Sequence, residues 1–183
     1  MSVGKLYVIS GASGVGKSTV LKGVFGLRED LAFSVSATTR PPRPSEEHGV
    51  HYFFISKEEF EEMIAKDAFL EYDDHAAAYY GTPLGQLEEK LAKGDVILDV
   101  EPAGAKIVRA KRPEATLIFI MPPSMEELER RLRGRGDTSE EQIKLRMDRA
   151  KWEIDQKDWY DHVVVNDQVE NCVQEILNII GGK

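Results

Sequence analysis

Gly11-Ala12-Ser13-Gly14-Val15-Gly16-Lys17-Ser18 sets glycines, a lysine and a hydroxyl at the spacing G-x-x-x-x-G-K-[ST]. Those residue types in that order suit one task, the cradling of a run of phosphates. Glycines at Gly11, Gly14 and Gly16 let the backbone wrap an anion and aim N–H groups inward, with Ala12, Ser13 and Val15 between them. Lys17 reaches the outer phosphate oxygens, and the Ser18 hydroxyl can ligate a magnesium ion. The motif lies between an apolar run, Leu6–Ser10, and an amphipathic stretch from about Lys17 to Phe25. A strand feeding a helix N-terminus at this point adds favourable partial positive charge.

A second group with chemical potential is the acid pair Asp99 and Glu101, which follows the apolar run Val96-Ile97-Leu98. A carboxylate at the end of a buried strand suits a magnesium site, directly or through water. Residues two apart share a face if the strand continues. The pair can therefore divide its labour between a metal and a nucleobase. Arg40 and Arg43 stand beside Pro41, Pro42 and Pro44, flanked by the hydroxyls of Ser34, Ser36, Thr38 and Thr39. Guanidinium forks match a phosphate dianion. Locally, a solvated loop with two surface arginines reads the same way.

The elements that must position these groups follow from hydropathy patterning. Val96–Val100, Leu117–Met121 and Val163–Val165 are short buried-looking strands with helical patterns between them, which predicts a parallel sheet in an α/β layer. Ser56 with Glu59, and Ser124 with Glu127, are capping boxes that mark two helix starts. Strands are also expected at Phe33–Ala37, His51–Ile55 and Phe69–Tyr72, within a stretch crowded by Pro41, Pro42, Pro44 and Gly49. That composition reads as an inserted lobe with polar side chains rather than a dry core. Gly134 and Gly136 interrupt the arginine-rich pattern of Arg130–Arg149, which predicts a mobile flap in place of a rigid helix.

A chain of 183 residues with 42% apolar content fits one compact domain. The formal charge of -8 points away from nucleic acid and anionic membranes as partners. One cysteine, Cys172, provides neither an intrachain disulfide nor a cysteine metal site, and its neighbours Val169, Val173 and Ile176 make it a buried apolar residue. No apolar run is long enough for a membrane span, so the expected location is cytoplasmic. His48, His51, His75 and His162 are scattered and are expected in loops or on the surface. Asp73-Asp74-His75 has no distinctive metal-ligand spacing.

Four stretches taken together resemble the guanylate kinase family. They are the phosphate loop, Ser34-Val35-Ser36-Ala37-Thr38-Thr39-Arg40-Pro41-Pro42-Arg43, Tyr79-Tyr80-Gly81-Thr82 and the Arg131–Gly136 segment, in register from about Lys5 to Asp167. The resemblance implies a phosphate-loop nucleoside monophosphate kinase fold: a parallel-sheet α/β core (about 1–33, 93–130 and 149–183), an inserted GMP-binding lobe (about 34–92) and a mobile lid (about 131–148). It implies transfer of the ATP γ-phosphate to GMP, and to dGMP as a further acceptor, with magnesium and without a covalent intermediate. Ser36, Arg40, Arg43, Tyr52 and Tyr80 fall where the family holds the GMP phosphate. Glu71 and Thr82 fall where it reads the guanine edge, and Glu101 where an acid also contacts the base. Arg131, Arg135 and Arg146 match the arginines that close over the phosphates. The small substrates are the expected partners, and the chain is expected to be a monomer or a small homo-oligomer.

Two departures stand out. Ala76-Ala77-Ala78 replaces the usual Gly-Asn type approach to Tyr79, which strains alanine if the turn needs positive φ. Pro102-Ala103-Gly104 lacks the glutamine common before that glycine. Other readings in view are a kinase for a different nucleoside monophosphate and a non-catalytic, kinase-like module that binds phosphopeptides. The intact Lys17 and Ser18 favour catalysis, and Glu71 with Thr82 favours guanine.

Overall fold

The computed structural model describes residues 3–75, 77–134, 136 and 138–181. In chain order the elements are β1 (Leu6–Gly11), α1 (Lys17–Leu27), β2 (Ala32–Phe33), β3 (Ala37–Thr38), β4 (Phe53–Phe54), α2 (Lys57–Ala65), β5 (Phe69–His75) and β6 (Ala78–Pro83). There follow α3 (Leu84–Leu91), β7 (Val96–Asp99), α4 (Pro102–Lys111), β8 (Thr116–Met121), α5 (Met125–Arg133), α6 (Glu140–Ile154), β9 (His162–Val165) and α7 (Val169–Ile180). No described helix is long and apolar enough to cross a membrane.

The chain divides into two compact units, residues 1–6, 30–99 and 103–115 in the first and 7–29, 100–102 and 116–183 in the second. In the second unit β1 pairs parallel with β8, from Tyr7 opposite Thr116 to Gly11 opposite Ile120, and β8 pairs parallel with β9. Val8, Ile9, Leu117, Ile118, Phe119 and Ile120 are all fully buried. This is why β1 and β8 read as continuous apolar runs rather than alternating ones, whereas β9 buries Val164 and leaves Val163 and Val165 exposed, unlike the buried strand expected there. Helix α7 buries Cys172, Val173, Ile176 and Leu177, so the cysteine is the apolar core residue its spacing predicts, and burial pushes its thiol up to about 11.

In the first unit β2 pairs parallel with β7, and a four-stranded sheet runs in the order β4-β3-β6-β5. The expected single strand at Phe33–Ala37 is instead two short ones in different sheets. Ser34 N–H donates to Ile97 O at 2.9 Å and Val35 N–H to the Gln86 side chain at 3.1 Å, and the chain then turns into β3. The lobe also has a dry core that its composition hides. Phe60, on α2, is fully buried and stacks on Phe69 (4.3 Å) and on Tyr79 (5.0 Å). Met63 and Ile64, three and four residues along the helix, pack against the same cluster. Truncating Phe60 to alanine would cost about 3–5 kcal/mol.

Ser56 and Ser124 cap α2 and α5 through the N–H groups of Glu59 and Glu127, as their spacing predicts. A third box, unread in the sequence, starts α6: Ser139 Oγ accepts from Gln142 N–H at 3.3 Å. The arginine-rich stretch is therefore two helices, interrupted only between Arg133 and Glu140, where Gly136 has φ 73°.

Candidate active site

Two groups of polar residues, one in each unit, carry the chemistry. In the second unit β1 ends at Gly11, and the loop that follows is held by buried contacts. Val15 and Ala12 are buried, and Gly14 and Gly16 have φ of 83° and 90°, which side-chain-bearing residues rarely adopt. A Cβ on Gly14 would come within 2.6 Å of Leu132. Asn166, 3% exposed, donates from Nδ2 to Val15 O at 2.8 Å. Helix α1 then starts at Lys17 with no side-chain cap and no acid in its first turn, unlike α2, α5 and α6. Uncapped N–H groups at a helix start are an anion site. Lys17 is half-buried and Ser18 is exposed at that start.

Ser13 N–H donates to Glu153 Oε2 at 2.7 Å. The other oxygen, Oε1, accepts from Arg149 Nε at 3.0 Å, and Arg149 also pairs with Glu101. Glu101, implied by the resemblance as a base contact, is here an ion-pair partner of α6. Arg131 is half-buried on α5, donating to Glu127 Oε1 at 2.8 Å and to Asn166 O at 3.0 Å. The guanidinium groups of Arg130 and Arg131 hold the Glu127 carboxyl down to about 2. Arg146 is half-buried on α6. Arg135 lies outside the described residues, as does Ala76.

In the first unit the anion candidates surround Arg40. Its Nη1 and Nη2 donate to Glu46 Oε2 and Oε1, each at 2.9 Å, and its guanidinium lies over the rings of Tyr52 (5.5 Å) and Phe54 (5.8 Å). Arg43 is exposed, but its backbone N–H also donates to Glu46, at 2.8 Å. The Arg40 side chain and the Arg43 N–H hold the Glu46 carboxyl down to about 2. Tyr52 and Tyr80 face each other with ring centroids 6.1 Å apart, and Ser36 is half-buried at the entry to β3. Burial, then the charge of Asp99, pushes the Tyr52 phenol up. Asp99 itself is half-buried at the end of β7.

On the same sheet, Thr82 Oγ1 donates to Glu71 Oε1 at 2.6 Å. Thr82 is fully buried and Glu71 is 6% exposed. Burial raises the Glu71 carboxyl above its ordinary value, and the Thr82 hydrogen bond opposes the shift. A buried carboxylate on a sheet, with one oxygen oriented by a hydroxyl, is a fixed acceptor for a ligand's N–H groups. His48, His51 and His162 are exposed; His48 and His51 each accept a backbone N–H through Nδ1 within their loop.

Sequence reasoning missed Glu46, Glu153 and Asn166. Glu46 lies three residues after Arg43 and had a local signal, an acid close to two arginines. Glu153 and Asn166 act on the phosphate loop from far along the chain and carry no such signal.

A parallel α/β sheet with a phosphate loop between its first strand and first helix places the chain among the phosphate-loop nucleotide-binding proteins. A profile of the guanylate kinase family matches residues 3–182. The chain is 50% identical over 184 residues to a guanylate kinase of Haemophilus influenzae (strain 86-028NP), covering 98% of this chain and 88% of that one. It is 48% identical over 174 residues to a guanylate kinase of Synechococcus sp. (strain JA-3-3Ab), covering 94% and 80% respectively. The crystal structure of guanylate kinase from Anaplasma phagocytophilum superimposes with a TM-score of 0.76 at 32% identity, over 98% of this chain and 85% of that one. The chain belongs to the guanylate kinase family.

Proposed function

We propose that this chain phosphorylates GMP to GDP with ATP, by direct in-line transfer, with ATP on the phosphate loop and GMP on the lobe of residues 34–92. The observation that carries the division of labour is the contrast between the two anion environments. The loop leads into a helix start that has neither a side-chain cap nor an acid in its first turn, with Lys17 at its head, which suits a polyphosphate chain. The lobe combines an arginine–tyrosine cluster with a buried acceptor, Glu71, suited to a monophosphate joined to a base.

Guanine offers N1–H and the exocyclic amine as donors, and Glu71 is an acceptor once ionised. Adenine presents an acceptor at N1, so the wrong base leaves polar groups unpaired. Sites built on such hydrogen bonds discriminate by roughly 10⁴–10⁵. Ser36, Arg40, Arg43, Tyr52 and Tyr80 hold the GMP phosphate in this reading. Thr82 orients Glu71, and Glu101, which also pairs with Arg149, is the second acid proposed to contact the base.

The GMP phosphate is already a nucleophile near neutral pH, so positioning and charge neutralisation do most of the work. Lys17 neutralises the transferring group, with Arg131, Arg135 and Arg146 from a lid of about residues 131–148 whose closure excludes water. The Ser18 hydroxyl and the Asp99 carboxylate each provide a hard oxygen of the kind magnesium takes. Among the described residues no group of three or more His, Cys, Asp or Glu could hold a metal. Magnesium bound here would take most of its ligands from phosphate oxygens and water. When bound, the ion supplies charge neutralisation at those oxygens. The reading places the protein in the cytoplasm as a monomer or small homo-oligomer acting on ATP with GMP or dGMP.

The test is ADP release from ATP and magnesium with GMP, AMP, CMP or UMP offered in parallel, for the native chain and Lys17→Ala. Turnover with GMP alone, lost in the variant, is the expected result. Turnover with another monophosphate would overturn the assignment of Glu71 and Thr82.

A further inference from the structure

Glu153 presents a contradiction for a loop that binds phosphates. It is 2% exposed, and its carboxylate accepts the Ser13 N–H at 2.7 Å, inside the glycine-rich turn. A buried negative charge there repels the polyphosphate that the same turn must attract. The charge is matched on its other oxygen by Arg149, one helical turn back on α6, at 3.0 Å. Arg149 is oriented in turn by its contact with Glu101, just before α4.

We propose that Arg149 is a positioning residue for the ATP site. By neutralising Glu153, it lets a buried carboxylate fix the Ser13 amide without opposing the nucleotide, and Glu101 holds Arg149 in place for that task. Removing one member of a buried pair leaves an uncompensated charge, whereas removing both charges leaves none. The Arg149 side chain is 35% exposed, so its replacement does not open the core.

This inference rests on the phosphate loop being the ATP site. Steady-state kinetics on the full chain test it, with Lys17→Ala as the check on that assumption. Arg149→Met should raise KM for ATP about tenfold, leave KM for GMP within about twofold, and leave kcat at saturating ATP little changed. Arg149→Lys, which keeps the charge, should stay within about threefold of the native KM. The decisive variant is Arg149→Met combined with Glu153→Gln, which should return KM for ATP to within about threefold of native. An unchanged KM for ATP in Arg149→Met, an equal rise in both KM values, or a double variant no better than the single one would overturn the proposal. Full ATP affinity and turnover in Lys17→Ala would overturn the ATP-site reading itself, whatever Arg149 does.

Discussion

Glu46 grips Arg40 with both carboxylate oxygens, each 2.9 Å from a terminal nitrogen, and accepts the Arg43 N–H as well. One acid thus fixes the side chain of one proposed phosphate-binding arginine and the backbone of the other. Planar bidentate pairing restricts a long flexible side chain, so the ordering cost is met before ligand arrives. Glu46→Gln breaks the fork and leaves Arg40 to sample other rotamers. KM for GMP should rise about tenfold, with KM for ATP unchanged, by initial-rate measurements. Because the Glu46 carboxyl is held down to about 2, its stabilising contribution is complete above the ordinary carboxylate range. It is lost as pH falls toward 2. Acid unfolding of the variant should lack that component, which thermal melts across pH 2 to 5 would reveal.

Glu71 has the opposite sign. Burial raises its pKa above the unfolded value, so the folded state binds the proton more tightly. Its contribution to stability is full below the unfolded pKa and falls as pH rises through the raised folded value. Glu71→Gln keeps an oxygen for Thr82 and removes the buried charge. The variant should melt at a higher temperature than native at pH 7 and match it at low pH. It should also lose GMP turnover by at least about 10²-fold, because the amide N–H₂ then faces guanine donors. For the native chain, KM for GMP should climb as pH falls through the raised pKa.

Ala77 sits at φ 63°, in the turn that joins β5 to β6, where His75 pairs with Ala78. The left-handed conformation is unfavourable for alanine, and glycine adopts it freely. Ala77→Gly should therefore stabilise the chain by about 1 kcal/mol, raising Tm by roughly 2–4 °C in calorimetry. Kinetic constants should be unaffected.

Much of the molecule was legible because its signals are local. The phosphate loop is eight consecutive residues, β1 and β8 are unbroken apolar runs, and two helix caps are written within four residues each. What failed to show was set by partners distant in sequence. Phe33 to Ala37 reads as one strand, yet Phe33 pairs with Ile97 while Ala37 pairs with Phe53 and Gly81, so the run divides between sheets. β6 has strand formers in Tyr79, Tyr80 and Thr82, but Gly81 and Pro83 break the run, and pairing with β5 completes the strand. Within the candidate site, Arg40 carried a local signal in its proline-flanked arginine pair, whereas Glu71 was reached only through the family resemblance. Glu153 carried no local signal, since its partner Ser13 lies 140 residues away.

Asn166 illustrates the same point and can be tested directly. It lies 151 residues from Val15, whose carbonyl accepts its Nδ2 at 2.8 Å, and a Cβ on Gly16 would come within 3.0 Å of that nitrogen. The amide therefore draws the Val15 carbonyl to one side of the loop and packs under the residue preceding Lys17. Carbonyls turned away leave N–H groups facing the anion. Asn166→Ala deletes the donor and leaves the buried Val15 oxygen without it, which should cost about 1–3 kcal/mol in denaturant unfolding. Asn166→Asp should be worse for nucleotide than alanine, because it sets a carboxylate against a carbonyl oxygen within a phosphate site. KM for ATP should rise in the order native, alanine, aspartate while KM for GMP stays level. Equal KM values for ATP in the two variants would show that Asn166 only fills space beneath the loop.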